Sequence, residues 1–436
     1  MGKTFKKLSV LLLIMIFLFP NIVVKAAMPQ INGASAVTFD LETGELIFTK
    51  NIDDKKYPAS ITKLLTALVF SDAYANKKTE YLKYPAEGKL MVPYAIYYNL
   101  KNIPVGEEIS ADDIMHALLL GSANDAAVVI ALNVSKTMDE FMALMNAKAK
   151  ELGMVNSHFV NPTGLHDPDH YTTAYDLTFL VKAAYADPWI REVSKKTDYV
   201  MKSKNQTLGN IISKNVLTGL EGNVLGKTGF TGEAGRCFAS VFERDGRAIG
   251  SVILDSENDA GNVRVFNDTL LLVDDSYLEE RVVKVAKSEE IGTIILPYKP
   301  YRFFGPTKEM EVPVIAGNTI SYYSNDVNLS ETKLDIAYDY PDVRTIKVGT
   351  VVGTAQLKER NLTKSVQLLS TIDVPGKILK THLFSYIVLT LAAFLILLVL
   401  VLTFIGKRRR KLARKRRLEA GRRSRKYVDD HHRRKY

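Results

Sequence analysis

The spacing of apolar residues changes character along the chain, and each change marks a structural boundary. An apolar run from Leu8 to Phe19 follows Lys3, Lys6 and Lys7, with Val24-Lys25-Ala26 behind it. That pattern predicts an export signal over residues 1–27, cleaved near Ala26 or Ala27. From Ala34 to Lys50 apolar and polar residues alternate around Asp40-Leu41-Glu42-Thr43-Gly44, which predicts a β-hairpin. Pro58-Ala59-Ser60 opens a helical run to about Asn76, in which Leu64, Leu65, Leu68 and Val69 recur at helical spacing. Residues 111–152 read as successive helices with Asp112, Asp113 and Asp139 as start signals, and Tyr171–Tyr185 as another opened by Thr172 or Thr173. Gly226–Leu254 reads as paired strands turning at Glu243–Gly246, and helix resumes over Val263–Leu272.

After about Lys284 the texture becomes short β-branched runs separated by turn residues. They are Thr293–Leu296, Met310–Val314, Thr319–Tyr323, Lys333–Tyr338, Val348–Leu357 and Ser365–Ile372, the pattern of a small all-β domain. Leu383–Ile405 then runs 23 residues without a charge, more than the roughly 20 a helix needs to cross a bilayer. Lys407-Arg408-Arg409-Arg410-Lys411 follows at once, and such a cluster stays on the cytoplasmic side. The expected layout is a signal (1–27), an α/β (α+β) domain (28–280), a β-rich stalk (285–378), a span (383–405) and a basic cytoplasmic tail (406–436).

Charge sharpens this layout. The net charge is +10, yet residues 407–436 hold 16 Lys/Arg against 3 Asp/Glu, a net of +13, so residues 1–406 sum to −3. The body offers no compositional case for nucleic-acid binding, and the tail suits anionic lipid headgroups. The single cysteine, Cys237, excludes an intramolecular disulfide and reads as a small buried strand residue.

Three short motifs carry candidate chemistry. In Ser60-Ile61-Thr62-Lys63 the helical spacing lets the Lys63 amine reach the Ser60 hydroxyl, and an amine kept neutral by burial could take its proton. In Ser122-Ala123-Asn124 a hydroxyl could relay protons and an amide could hold a peptide group. In Lys227-Thr228-Gly229, on an expected strand, Lys227 and Thr228 could bind a carboxylate while Gly229 lets a substrate approach the backbone. Singly these are weak. Ser330-Glu331-Thr332-Lys333 repeats the first spacing in what reads as a solvated turn, and Ser203-Lys204-Asn205 and Ser213-Lys214-Asn215 repeat the second.

Together, in this order and on these elements, they resemble the penicillin-binding proteins and serine β-lactamases. Pro58–Thr66, Gly121–Ala127, Phe159–Leu165 and Gly226–Thr231 extend the likeness to the low-molecular-mass penicillin-binding proteins, the serine D-alanyl-D-alanine carboxypeptidases of peptidase family S11. The resemblance implies a penicillin-recognising fold with a mainly antiparallel sheet flanked by helices. It implies Ser60 as nucleophile, Lys63 as general base, and Ser122 with Lys227 completing proton transfer to the leaving D-alanine. Asn124 would hold the substrate backbone, Lys227, Thr228 and Gly229 would receive its carboxylate end, and the backbone N–H groups of Ser60 and Phe230 would form the oxyanion hole. Some relatives carry His where Phe230 stands. No cofactor or metal is implied, and the partners would be peptidoglycan stem peptides, with β-lactam antibiotics as inhibitors.

Rival readings are a transpeptidase or endopeptidase on the same acyl-enzyme, a β-lactamase, and a non-catalytic β-lactam sensor. A class A β-lactamase needs a Glu-x-x-Leu-Asn base between Asn124 and Lys227, and none occurs. A sensor needs a signalling domain where this chain has a short basic tail. His158, His166, Asp167, Asp169 and His170 cluster, but Pro168 breaks any helix that would align His166 with His170, so they read as a loop without a zinc signature.

Overall fold

The computed structural model describes residues 29–91, 95–96, 102–259, 261 and 263–432, so the export-signal segment lies outside the described residues. The chain divides into two compact units. The first holds the chain up to Val282, joined by residues 321–332 and 359–362; the second holds the remainder.

The first unit is built on a five-stranded antiparallel sheet. Strands β1 (Ser35–Asp40) and β2 (Leu46–Lys50) form the expected hairpin. Further along the chain come β3 (Tyr81–Lys83), β4 (Glu108–Ser110), β5 (Asp198–Lys202) and β6 (Thr207–Ile212), which pair outside this sheet as β3–β4 and β5–β6. Strands β7 (Asn223–Thr231), β8 (Gly235–Arg244) and β9 (Arg247–Ser256) complete the main sheet in the order β2-β1-β9-β8-β7. The β8–β9 turn is two residues, Asp245 and Gly246, both at positive φ (50° and 79°), the geometry that matches strand twist.

Alternation along the central strands feeds two separate cores. On β8 Cys237, Ala239 and Val241 face one way, while Phe238 and Phe242 face the other. Against the second face packs a late helix, Arg264–Leu278, through Val265, Phe266, Leu272 and Val273. Against the first pack the earlier helices: α1 (Thr62–Tyr74), α2 (Ala111–Leu119), α3 (Asn124–Val134), α4 (Met138–Leu152), α5 (Ala174–Ala186) and α6 (Pro188–Ser194). The late helix is α7. Helix α1 lies at the centre of that layer, with every residue from Thr62 to Ser71 buried. A helix without a polar face has nowhere else to go. The expected single run from Pro58 to Asn76 differs at its start: Ala59–Ile61 form a 3-10 turn, with Ala59 at φ 47°, before α1 begins.

The second unit carries β11 (Glu290–Tyr298), β12 (Lys308–Ala316), β14 (Lys333–Tyr338), β15 (Val351–Lys358) and β16 (Thr363–Ser370), an antiparallel sheet ordered β11-β12-β16-β15-β14. Two short strands, β10 (Val282–Val285) and β13 (Ile320–Tyr322), pair separately. Ser330 belongs to the 321–332 segment of the first unit, exposed at the end of a short helix, α8 (Asp326–Glu331), and its hydroxyl donates to the Asp326 carbonyl at 2.9 Å. The final helix, α9, runs unbroken from Val374 to His432, and its apolar stretch is long enough to cross a membrane. The layout is that of a single-pass membrane protein.

Candidate active site

The 3-10 turn holds Ser60 at the mouth of α1, and Lys63 stands one turn further in, on a stretch of helix buried all round. Lys63 is therefore fully buried. Its Nζ lies 2.8 Å from Ser60 Oγ, 2.8 Å from Asn124 Oδ1 and 2.6 Å from the Thr163 carbonyl. Burial, and then the charge of nearby Lys227, push its pKa well below that of free lysine, against a weaker opposing pull from Asp125. A neutral amine has two N–H donors and one lone pair. With Lys63 in that form, Asn124 Oδ1 and the Thr163 carbonyl can accept its two N–H groups, which leaves a lone pair for the Ser60 hydroxyl.

Lys227 enters from β7. Its Nζ donates to Ser122 Oγ at 2.8 Å and to the Thr228 carbonyl at 2.9 Å. Burial first, then the charge of Lys214, lowers its pKa to about 7. Ser122 adopts a left-handed backbone, φ 57°, just before α3 begins at Asn124. Such strain in a non-glycine residue persists only where the surroundings over-determine it. Here Ala123 donates its N–H to the Ala117 carbonyl, and the buried Asp125 accepts from Tyr84 Oη at 2.8 Å and the Ile96 N–H at 2.7 Å.

Two glycines set how closely the pieces approach. Gly164, at φ 80°, lies so near the Ser60 turn that a Cβ there would fall 1.8 Å from the Ala59 carbonyl oxygen. Gly229 brings β7 against the same turn, where a Cβ would sit 3.0 Å from the Ser60 backbone nitrogen. Ser60, Ser122, Asn124, Thr228, Gly229 and Phe230 line one cavity of about 360 Å³, with Lys63 and Lys227 behind its wall.

The cavity also contains residues to which motif reading gave no role. Thr163, Gly164 and Leu165 close one side. Lys214, just after β6, and Arg236, opening β8, bring further positive charge, and the Arg236 guanidinium stacks 4.0 Å from the Phe230 ring centroid. Phe159–Leu165 was legible as family text, but nothing in spacing marks the Thr163 carbonyl or Lys214. Of the histidine cluster, only His170 reaches α1. It is buried, accepts the Val160 N–H at Nδ1 (3.2 Å), and so offers its Nε2 proton to Thr62 Oγ1 at 2.8 Å. Burial lowers its pKa to about 4, which keeps it neutral. His158 bonds the Asp169 carbonyl and His166 packs edge-on to Tyr57. Cys237 is buried in β8 with its pKa raised by burial to about 12, leaving it an inert thiol.

Residues 22–258 match the peptidase S11 family, D-alanyl-D-alanine carboxypeptidase, and the chain belongs to that family. Among curated relatives, the D-alanyl-D-alanine carboxypeptidase DacF of Bacillus subtilis is 31% identical over 223 residues, 50% of this chain and 56% of the relative. The chain thus spans little more than half of that relative's length. A D-alanyl-D-alanine endopeptidase of Escherichia coli is 32% identical over 238 residues, 53% of this chain and 74% of the relative. Among solved structures, the D-alanyl-D-alanine carboxypeptidase of Mycobacterium tuberculosis superposes with a TM-score of 0.54 at 25% identity, over 59% of this chain and 96% of that one.

Proposed function

We propose that the chain is a serine D,D-peptidase of peptidoglycan, and that its principal reaction is removal of the terminal D-alanine from stem pentapeptides. The observation that carries this reading is the contact of Ser60 Oγ with a fully buried Lys63 amine at 2.8 Å, matched by a second pair, Lys227 and Ser122, also at 2.8 Å. A hydroxyl facing a dry, neutral amine is a nucleophile with its base in place.

In this mechanism Ser60 Oγ attacks the carbonyl carbon of the penultimate D-alanine while its proton passes to Lys63. Negative charge gathers on the carbonyl oxygen, which the backbone N–H groups of Ser60 and Phe230 receive. Collapse breaks the peptide C–N bond, and the departing amine gains a proton through Ser122 from the paired lysines. Water then attacks the Ser60 ester while Lys63 takes its proton, and as the ester C–O bond breaks Lys63 returns that proton to Ser60 Oγ and the shortened peptide is released. Asn124 holds the peptide backbone, and Lys227, Thr228 and Gly229 form the wall that receives the terminal carboxylate, with Lys214 and Arg236 adding positive field. A β-lactam enters the same sequence: its strained amide opens to an ester on Ser60.

A second reading is cleavage of the same bond inside a cross-link, and it is favoured by the endopeptidase relatives from E. coli and Pseudomonas aeruginosa, of which the chain spans 74% and 75%. One experiment separates the readings. Full-length protein and a Ser60→Ala variant are exposed to benzylpenicillin and weighed intact, then given a monomeric pentapeptide and a cross-linked muropeptide dimer. A mass adduct only with Ser60 present, and free D-alanine from the monomer, supports the carboxypeptidase. Cleavage of the dimer alone replaces it with the endopeptidase, and a lasting adduct without any hydrolysis replaces both with a sensor. An unmodified wild-type mass overturns the serine-enzyme reading itself.

A further inference from the structure

The start of α9 is a docked helix before it is a free one. Val374, Ile378 and His382, spaced four apart, are buried on one face, and Tyr386 continues the stripe half-buried. Beyond Tyr386 the side chains of the apolar segment lie open on every face. The β-sheet unit therefore accompanies the helix down to Tyr386 and releases it there.

What meets Tyr386 is the loop between β11 and β12. Tyr386 Oη donates to the Pro300 carbonyl at 2.6 Å, and its ring packs edge-on to Tyr301 at 5.9 Å between centroids. Two residues before Pro300, at the end of β11, Tyr298 Oη and His382 Nε2 share a hydrogen bond of 3.0 Å. The loop turns sharply, with Arg302 at φ 63° and Gly305 at φ 102°, and Tyr301 stacks on Phe304. The turn leaves Phe303 78% and Phe304 64% exposed. A pair of exposed phenylalanines at a hairpin tip is a liability in water.

The position of the membrane removes the liability. Lys407 and Arg408 fix the inner end of the span just past Ile405. Counting back the roughly 20 residues that cross the hydrocarbon core lands on Tyr386. The aromatic loop thus sits at the level where the helix leaves the hydrocarbon, the depth at which amphipathic rings gather. Beside it, a cavity of about 410 Å³ is bounded by Tyr301, Arg302, Arg344, Ile378, Leu379 and Tyr386, apolar on the helix side and carrying two guanidinium-bearing residues. Arg302 and Arg344 on its rim suit the phosphate level of the outer leaflet, just outside the hydrocarbon edge at Tyr386.

We propose that the β11–β12 loop, residues 299–305, is a second membrane contact: an interfacial anchor in which Phe303 and Phe304 enter the outer leaflet beside the span. The partner is the phospholipid surface itself. The β-sheet unit then rests directly on the bilayer instead of hanging from it by a single helix.

The test uses the full chain reconstituted in phosphatidylcholine–phosphatidylglycerol vesicles. The protein has one tryptophan, Trp189, which is buried in the first unit and can be subtracted using unaltered protein. A Phe303→Trp variant adds a reporter at a largely exposed site that tolerates the larger ring. The expected result is blue-shifted added emission, most of it lost when the vesicles contain lipid brominated close to the headgroup, and little lost to aqueous acrylamide. Added emission that acrylamide quenches and brominated lipid does not would overturn the proposal. So would strongest quenching by lipid brominated at mid-chain, which would put the loop too deep for an interfacial site. Phe304→Trp repeats the reading should the first variant show an altered thermal unfolding curve.

Discussion

Replacing Lys227 with methionine is expected to stabilise the protein at neutral pH while destroying its acylation. Lys227 is fully buried and its pKa falls to about 7, mainly by burial. In the unfolded chain it returns to about 10.4. Between those values the unfolded state binds the extra proton, so the penalty is fullest below about pH 7 and fades as the pH rises toward 10.4. Three pH units and more of displacement correspond to about 4 kcal/mol against the folded state at pH 7. Methionine has a similar length and no charge to desolvate. It leaves Ser122 Oγ and the Thr228 carbonyl without the donor they now share at 2.8 and 2.9 Å, and two such acceptors at the edge of an open cavity cost together about 1–3 kcal/mol. The net gain is about 2 kcal/mol, a rise in Tm of about 4–8 °C for a unit of this size. Lys63 loses a neighbouring positive charge in the same variant, which moves stability in the same direction.

The assay follows Trp189 fluorescence on heating, because that residue reports the first unit alone, at several pH values from 7 to 10, for wild type and Lys227→Met side by side. The variant's advantage is expected to be large at pH 7 and to shrink steadily as the pH rises. Acylation by a fluorescent penicillin is lost throughout. An advantage of constant size across that range, or a variant less stable than wild type at pH 7, would show that burial of the charge is not what Lys227 contributes to the energetics.

Two further outcomes test the geometry. Gly164→Ala places a methyl group 1.8 Å from the Ala59 carbonyl oxygen at φ 80°, so the Ser60 turn must move by about 1 Å or more, and acylation is expected to slow about 100-fold in stopped-flow penicillin binding. Strain and overpacking together should also lower Tm, by about 4–15 °C. Thr173→Ala removes the N-cap whose side chain accepts the Asp176 N–H at 3.0 Å; it should cost about 1 kcal/mol and a few degrees of Tm with acylation unchanged, since α5 does not line the cavity.

How much of this was legible depended on whether the signal sat in side-chain type or in backbone. The Ser60–Lys63 spacing and the alternation of β7, β8 and β9 are properties of residue identity, and they predicted both the contact and the sheet. The 3-10 turn at Ala59 was not legible, because Pro58-Ala59-Ser60 is an acceptable helix start and the φ of 47° at Ala59 goes with the close approach of Gly164 and Gly229, which are distant in sequence. The Thr163 carbonyl escaped for a deeper reason. Every residue has a carbonyl, so no spacing can advertise the one that accepts a hydrogen bond from Lys63. The β5–β6 hairpin was missed because its exposed strands mix polar and apolar residues without a clean alternation, and Lys214 at its end was lost with it.

The same sequence feature that folds the first unit also prepares its chemistry. A lysine on an amphipathic helix would keep its head in water and remain charged at neutral pH. Helix α1 gives Lys63 no such exit, since Thr62, Leu64, Leu65 and Thr66 are buried around it and its amine ends against Asn124 and Thr163. The apolar run that reads in sequence as a core helix is thereby also the device that dries the proposed base. Lys227 on β7 is held behind the same cavity wall, and two lysines that close cannot both hold a proton cheaply. One proton shared between them is what a reaction needs that must first accept a proton from Ser60 and then return it to a leaving amine. The instability that Lys227→Met would relieve is, in this account, the same free energy that keeps the Ser60 hydroxyl facing an unprotonated amine.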